Sequence, residues 1–109
     1  MNIYVLMMTD EQTLIRATEL FQALSTASRL RILCVLSEQP SSVSTLVAAT
    51  HLSQPLVSQH LKTLRGNNLV TVTRTGKEAL YALVDDYVAH VIRDTLAHSR
   101  EAHRGSQAD

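Results

Sequence analysis

SQPLVSQHLKTLRGNNLVTVTRTGKEALYAL, the stretch from Ser53 to Leu83, decides how this chain folds. Its first half predicts a helix that Ser53 caps, with Pro55 in the first turn, where a missing backbone N–H costs little. Apolar residues recur there at helical spacing and are expected to face the core: Val57, Leu61 and Leu64. The second half alternates apolar and polar residues on both sides of Gly76, which predicts a β-hairpin with a glycine-containing turn.

The residues before this stretch predict three more helices, which read EQTLIRATELFQAL, TASRLRILCVLSEQ and TLVAAT. Their expected caps are, in order, Thr9 or Asp10, Ser25, and Ser42 or Ser44. The tight connection HLS joins the third helix to the helix after Ser53. Two helices joined by a three-residue turn and followed by a hairpin are typical of a winged helix-turn-helix.

The predicted fold class is therefore mainly α with a β-hairpin wing, completed by a long last helix that Asp85 or Asp86 opens. Residues 9–104 are expected to form this winged-helix domain and residues 105–109 a frayed tail. Residues 1–8 form an N-terminal extension. It is either a first strand, an upstream extension of a chain that starts at Met8, or a disordered end.

The charge distribution indicates a polyanion as the partner. The chain of 109 residues has no net charge, yet no acidic residue lies between Glu38 and Glu78. The basic residues of that segment are Lys62, Arg65, Arg74 and Lys77. A chain this small also gains stability by pairing with a copy of itself, so we expect a homodimer.

Several classes of protein are excluded by what the sequence lacks. The single cysteine, Cys34, cannot build a disulfide framework or a cysteine-rich metal cage, and its apolar surroundings favour a buried structural thiol. No stretch is long and apolar enough to cross a membrane and no signal peptide is evident, so we expect a cytoplasmic protein without a membrane partner. No phosphate-binding loop or nucleophile turn is present, so we do not expect an enzyme.

The outer side of the helix after Ser53 carries residue types that contact DNA. Glutamine can bond adenine through two hydrogen bonds, serine can bond several base edges, and lysine and arginine suit phosphates. The predicted DNA-contacting residues of the helix and the wing are Ser53, Gln54, Ser58, Gln59, Lys62, Thr63, Arg74 and Lys77. The alternative is a polar helix that is only solvated, which the absence of acids across this segment disfavours.

Two phrases of the sequence also resemble a known family. LSTASRLRILCVL resembles L-A-D-x-T-R-L-R-I-L-x-x-L, and the stretch quoted above resembles S-x-x-x-V-S-x-H-L-x-x-L…G-L-V…R-x-G…Y-x-L. These are signatures of the ArsR/SmtB family of dimeric winged-helix repressors, and the resemblance spans about Glu19 to His103. It implies a homodimer through the first and last helices, a palindromic double-stranded DNA operator, and an inducer that weakens DNA binding.

His60 falls on the histidine of the V-S-x-H-L signature. It either touches DNA or packs and bonds a carbonyl near the hairpin, and we favour packing. The soft-metal members of the family carry a C-x-C pair near the third helix, where SSVSTLVAAT has no cysteine. We therefore do not expect arsenic, cadmium or lead as the inducer.

The resemblance points to the last helix as the metal site. The zinc-type pattern of the family is D-x-H…H-x-x-E/H, and its two halves come from the antiparallel last helices of the two protomers. In this sequence Asp85, His98 and Glu101 match the pattern, whereas Tyr87 stands in place of the first histidine. At helical spacing Asp86 and His90 lie on the same side and substitute, while His103 extends the far end.

The predicted metal ligands are Asp85, Asp86, His90, His98, Glu101 and His103. Nitrogen and oxygen ligands suit nickel, zinc and cobalt. Because the tetrahedral zinc pattern is broken and spare histidines are present, we favour Ni(II), with Zn(II) or Co(II) as alternatives. The rival hypothesis is a metal-independent winged-helix protein that binds DNA or another partner and uses its last helix only to dimerise.

Overall fold

The computed structural model describes residues 2–108, without the side chains of residues 103, 104 and 106–108. Six helices and one hairpin follow one another in the described part of the chain. The helices are α1 (Ile3–Met8), α2 (Glu11–Ala23), α3 (Ala27–Glu38), α4 (Val43–Thr50), α5 (Gln54–Gly66) and α6 (Asp86–Ala108). The strands are β1 (Val70–Thr75) and β2 (Glu78–Leu83).

Side-chain caps begin the five helices from α2 to α6, and all but one of these caps are residues that the sequence predicted. The oxygen of each cap accepts a backbone N–H from the first turn, at distances between 2.8 and 3.3 Å. The caps are Asp10 for α2, Thr26 for α3, Ser42 for α4, Ser53 for α5 and Asp85 for α6. The prediction of Ser25 was wrong by one residue, because Thr26 accepts from Arg29 N at 3.2 Å while the Ser25 hydroxyl donates back to Gln22 O.

The core lies around α3, which packs against α4, α6 and β2. Fully buried side chains from four helices and the α5–β1 connection meet there: Ile32, Leu33, Leu46, Val57, Leu61, Leu64, Leu69 and Ile92. The three apolar residues predicted to turn α5 inward are all among them. Cys34 is half-buried at the edge of this core, and burial raises the pKa of its thiol.

The wing is a two-stranded antiparallel hairpin in which Thr75 pairs with Glu78 and Val70 with Leu83. The two loop residues are Gly76 and Lys77, and Gly76 has φ 64°, which the first position of a type II′ turn requires. A second contact anchors the hairpin, because Ser41 and Tyr81 exchange two backbone hydrogen bonds of 2.9 Å. The wing is thereby attached directly to the residue before the cap of α4.

Residues 3–8 form a helix rather than the strand or disordered end considered for them. The last helix continues to Ala108, so residues 105–108, expected to be a frayed tail, are helical. No helix in the described residues is both long and apolar enough to span a membrane.

Candidate nucleic-acid interface and last-helix stripe

The outer side of α5 presents a polar face to solvent. The burial of Val57, Leu61 and Leu64 turns the opposite side of the helix outward. Four predicted DNA-contacting side chains of α5 are exposed there, and we call them the recognition face: Gln54, Ser58, Gln59 and Lys62. Thr63 is only half-exposed, because it lies beside the core-facing Leu64, and Ser53 is exposed but serves as the cap.

The turn between α4 and α5 holds these two helices in a fixed relation. His51 ends α4 in the left-handed conformation at φ 62°, which a histidine rarely adopts. Thr50, which is buried, donates its hydroxyl to Leu46 O at 2.6 Å and accepts Leu52 N at 3.3 Å. A hydrogen-bonded turn of three residues between two helices is the geometry of a helix-turn-helix.

The wing carries the other two predicted contacts, Arg74 on β1 and Lys77 in the turn, and both are exposed. Lys77 and Gln54 line the same groove of about 490 Å³, together with Glu78. The tip of the wing therefore lies beside the first turn of α5. In the sequence Glu78 only marks the end of the acid-free segment, whereas in the structure its carboxylate lines the same groove as Lys77.

His60 packs inside the molecule, as favoured, but not against the partner that was expected. Its ring is 8% exposed, and Nε2 lies 2.8 Å from the Ser28 hydroxyl on α3 rather than beside a carbonyl near the hairpin. Burial, followed by the nearby charge of Arg29, lowers the pKa of His60. The ring nitrogen Nδ1 is buried without a hydrogen-bond partner among the described residues.

Arg29 continues this connection from α3 to α2 through a contact that the sequence did not predict. Its Nε donates to Ala23 O at 2.6 Å and its Nη2 to Gln22 O at 3.5 Å, both at the end of α2. The first turn of α3 therefore holds α5 through Ser28 and α2 through Arg29. The only signal in the sequence was the polar pair Ser28 and Arg29 in the first turn of α3, before the apolar run from Ile32 to Leu36.

The acidic and histidine side chains of α6 form a stripe on the side opposite the core. The buried side of the helix carries Val88, Ala89 and Ile92. At about 100° per residue the stripe lies roughly half a turn away from them, and every member is exposed: Asp86, His90, Asp94, His98 and Glu101. None of the five accepts or donates a side-chain hydrogen bond within the described part of the chain.

One protomer does not bring the predicted metal ligands together. No group of three or more histidine, cysteine or acidic side chains close enough to hold a metal occurs among the described residues. Asp86 and His98 are twelve residues apart, about 18 Å along a helix. Asp85 is engaged as the cap of α6, where Oδ1 accepts Val88 N at 2.9 Å, and the side chain of His103 lies outside the described residues. Tyr87 is 82% exposed and lies on the side of the helix that carries His98.

The surface of the chain is too large for a compact monomer. The accessible area is 7883 Å², whereas a monomer of 12.1 kDa has about 6,000 Å². The radius of gyration is 16.2 Å against about 13 Å for a compact chain of this length. Much of the excess is apolar: α2 joins the core only through its C-terminal turn, and Leu14, Ile15 and Phe21 are 43–62% exposed.

Comparison with known proteins identifies the family. Residues 26–72, from the cap of α3 into β1, match the model of the bacterial regulatory proteins of the arsR family. The chain is 46% identical over 85 residues to the HTH-type transcriptional repressor SmtB of Mycobacterium tuberculosis, a match that covers 78% of this chain and 63% of that protein. It is 36% identical over 96 residues to the HTH-type transcriptional regulator NmtR of the same species, covering 88% of this chain and 80% of that protein.

The fold comparison agrees with this result. A homodimeric winged helix-turn-helix DNA-binding domain from Mycobacterium bovis matches with a TM-score of 0.79 at 24% identity, over 84% of this chain and 85% of that one. The predicted fold class, mainly α with a hairpin wing, is thus confirmed. The relatives are named as transcriptional regulators, in agreement with the prediction that the chain is not an enzyme. The chain belongs to the arsR family of bacterial regulatory proteins.

Proposed function

We propose that this chain is a cytoplasmic transcriptional repressor that binds a palindromic double-stranded DNA operator as a homodimer. The observation that carries the proposal is the recognition face of α5, which is exposed, polar and basic, and stands beside a basic wing in a segment without acids from residue 39 to residue 77. A helix of this kind enters the major groove with its N-terminal residues at the base edges. Gln54, Ser58 and Gln59 would then read bases, and Lys62, Arg74 and Lys77 would contact phosphates.

The homodimer half of the proposal is supported by the exposed apolar surface. The excess accessible area of about 1,900 Å² per chain exceeds the 800 Å² or so that each partner buries in an interface of standard size. The apolar residues of α2 and Leu96 of α6 supply the apolar part of such an interface. A two-fold dimer places two recognition helices about 34–36 Å apart, one turn of DNA, which requires a palindromic operator.

Binding to DNA is tested by selecting a double-stranded operator from random sequence and measuring affinity by fluorescence anisotropy at several salt concentrations. Lys62→Gln should weaken binding of all sequences and reduce the salt slope by about one, because one phosphate contact is lost. Gln59→Ala should instead relax the base preference at one position of each half-site. Arg100→Gln, which removes an exposed cation from α6, is the matched control and should change neither. Equal losses of DNA affinity in Arg100→Gln and Lys62→Gln would refute the proposal that the recognition face contacts DNA.

We propose further that a metal ion, nickel in preference to zinc or cobalt, binds between the two last helices and changes DNA affinity. The stripe supports this because its carboxylates and imidazoles are exposed, unpaired within the described residues and directed away from the core. Asp86 and His90 of one chain with His98 and Glu101 of its partner would supply two nitrogen and two oxygen donors, a set that suits these ions. Bound there, the metal would link the two helices and supply a coupling free energy of about 1–3 kcal/mol to DNA binding.

Two observations favour the rival hypothesis of a metal-independent regulator whose α6 only dimerises. Tyr87 replaces a ligand of the zinc-type pattern, and Asp85 is already used as the helix cap. Titration of the untagged protein with nickel, cobalt and zinc, followed by the anisotropy assay, separates the hypotheses. His98→Ala should keep operator affinity and lose the metal response, whereas Ser99→Ala, on another side of α6, should keep both. An operator affinity that none of the three metals changes would establish the rival.

A further inference from the structure

The first helix of the chain has nothing to pack against in its own protomer. All six residues of α1, IYVLMM, are apolar, and each is between 42% and 73% exposed. An isolated helix needs about 12–15 residues to be stable in water, so a helix of six needs an apolar surface to hold it. No buried residue of the described core belongs to α1.

The connection to α2 directs α1 away from the core of its own chain. The Thr9 hydroxyl donates to Val5 O at 2.7 Å and so closes α1, while Asp10 opens α2 by accepting from Thr13. The two caps follow one another directly and leave no flexible linker between the helices. Because only the C-terminal turn of α2 reaches the core, α1 at its N-terminal end stands clear of it.

An uncovered apolar cleft lies at the opposite end of α2. It is a cleft of about 200 Å³ between α2, α3 and α6, and its lining residues are Phe21, Leu24, Leu30, Val91, Ile92 and Thr95. Thr95 is its only polar residue, and Phe21 at its rim is 62% exposed. Phe21 lies ten residues beyond Glu11, about 15 Å along the helix axis, so α1 of the same chain does not cover it.

We propose that α1 of each protomer packs into this apolar cleft of its partner. If the two α2 helices pair antiparallel across a two-fold axis, the N-terminal end of one lies beside the C-terminal end of the other. Each α1 then meets Phe21 and Leu24 of the second copy, and two exposed apolar surfaces are buried together. The exposed Leu14 and Ile15 make this contact continuous with the proposed α2 interface. The inference rests on the homodimer of the proposed function and adds a swapped N-terminal arm to it.

The first test is the dissociation constant of the dimer, measured by sedimentation equilibrium of the full chain. Leu6→Asp should raise it about ten- to hundredfold, because a leucine that is buried in the dimer is replaced by a charge. Thr73→Asp, which puts the same charge on an exposed position of the wing, should leave it unchanged. Equal dissociation constants for wild type and Leu6→Asp would overturn the proposal.

The second test locates the arm directly. The Cys34→Ala, Leu6→Cys variant carries a spin label at residue 6 and contains no ¹⁵N. It is mixed with a chain that carries ¹⁵N and no spin label, so that only contacts between chains broaden amide signals. We expect broadening at Phe21, Leu24 and Thr95 of the partner and none at the wing. No broadening in the mixed sample, together with broadening at Phe21 and Leu24 in a spin-labelled chain that itself carries ¹⁵N at high dilution into unlabelled ¹⁴N chain, would place α1 on its own protomer and refute the swap.

These outcomes separate the arm from the dimer. A wild-type chain that sediments as a monomer would refute the homodimer and the arm together. A tight dimer that is insensitive to Leu6→Asp and shows no broadening between chains would refute the arm alone. Binding of the wild-type chain to neutral phosphatidylcholine vesicles, abolished by Leu6→Asp while the dimer persists, would assign α1 to a lipid surface and overturn the proposal.

Discussion

Replacing His60 by glutamine tests whether the buried imidazole stabilises the packing of α5 against α3. The change removes the imidazole and with it the 2.8 Å hydrogen bond between Nε2 and the Ser28 hydroxyl. A hydrogen bond of this kind contributes about 1 kcal/mol net, and the apolar part of a ring that is 8% exposed contributes up to about 1 kcal/mol more. We expect His60→Gln to lower the free energy of unfolding by about 1–2 kcal/mol in urea denaturation at fixed protein concentration.

The pH dependence of this difference follows from the lowered pKa of His60. In the unfolded chain the pKa is about 6.5, and burial places the folded value below it. Between the two values the unfolded chain binds more protons, so the stability that neutral His60 contributes is complete above pH 6.5 and is lost as the pH falls toward the folded pKa. The stability difference between wild type and His60→Gln should therefore shrink from pH 7.5 to pH 5.5, by at most about 1.4 kcal/mol per pH unit.

A double-mutant cycle with Ser28→Ala isolates the contact itself. Each single variant removes the same hydrogen bond, so the double variant should lose about 1 kcal/mol less than the two single losses added together. The contact is refuted if the two single losses in free energy of unfolding add up to the double loss within about 0.3 kcal/mol, and if the stability of His60→Gln depends on pH as the wild type does. The ring would then not be bonded to Ser28 in solution.

Three further substitutions test local features of the structure. His51→Gly should raise the free energy of unfolding by up to about 1 kcal/mol, because glycine adopts φ 62° without the strain of a side chain; an unchanged or lower value in the same urea assay would contradict this. Thr26→Ala should lower the free energy of unfolding by about 1 kcal/mol and Ser25→Ala by less than half as much, because Thr26 alone caps α3. Equal decreases for the two variants would show that Ser25 also acts as a cap. Glu78→Gln should tighten operator binding several-fold at low salt, because it removes the carboxylate beside Lys77, and a gain that persists undiminished at high salt would exclude this electrostatic cause.

The sequence was most informative where local signals agree. In α5 the cap, the proline of the first turn and the spacing of Val57, Leu61 and Leu64 all predict the same helix in the same orientation, and the exposure of Gln54 and Gln59 follows from it. The hairpin was predicted equally well because alternation and Gly76 both mark it.

The features that the sequence did not predict depend on contacts between distant residues. Ser25 and Thr26 are both competent caps, but the Ser25 hydroxyl donates to Gln22 O at the end of α2, and Thr26 is left to cap α3. The partner of His60 is 32 residues away and could not be found from spacing. The metal ligands stay a prediction for the same reason, since their assembly needs a second chain.

In the proposed complex with DNA, the contacts of α3 with α5 and α2 determine how far α5 has to move before its contacts with bases are lost. Ser28 fixes α5 near its middle, at His60, while Arg29 fixes the end of α2. Gln54 lies six residues from His60, about 9 Å along the helix, so a tilt of about 10° around that pivot displaces it by about 1.6 Å. Hydrogen bonds to base edges tolerate a few tenths of an ångström. In the proposed complex, the distance from His60 to Gln54 therefore makes base recognition sensitive to small rotations of α5.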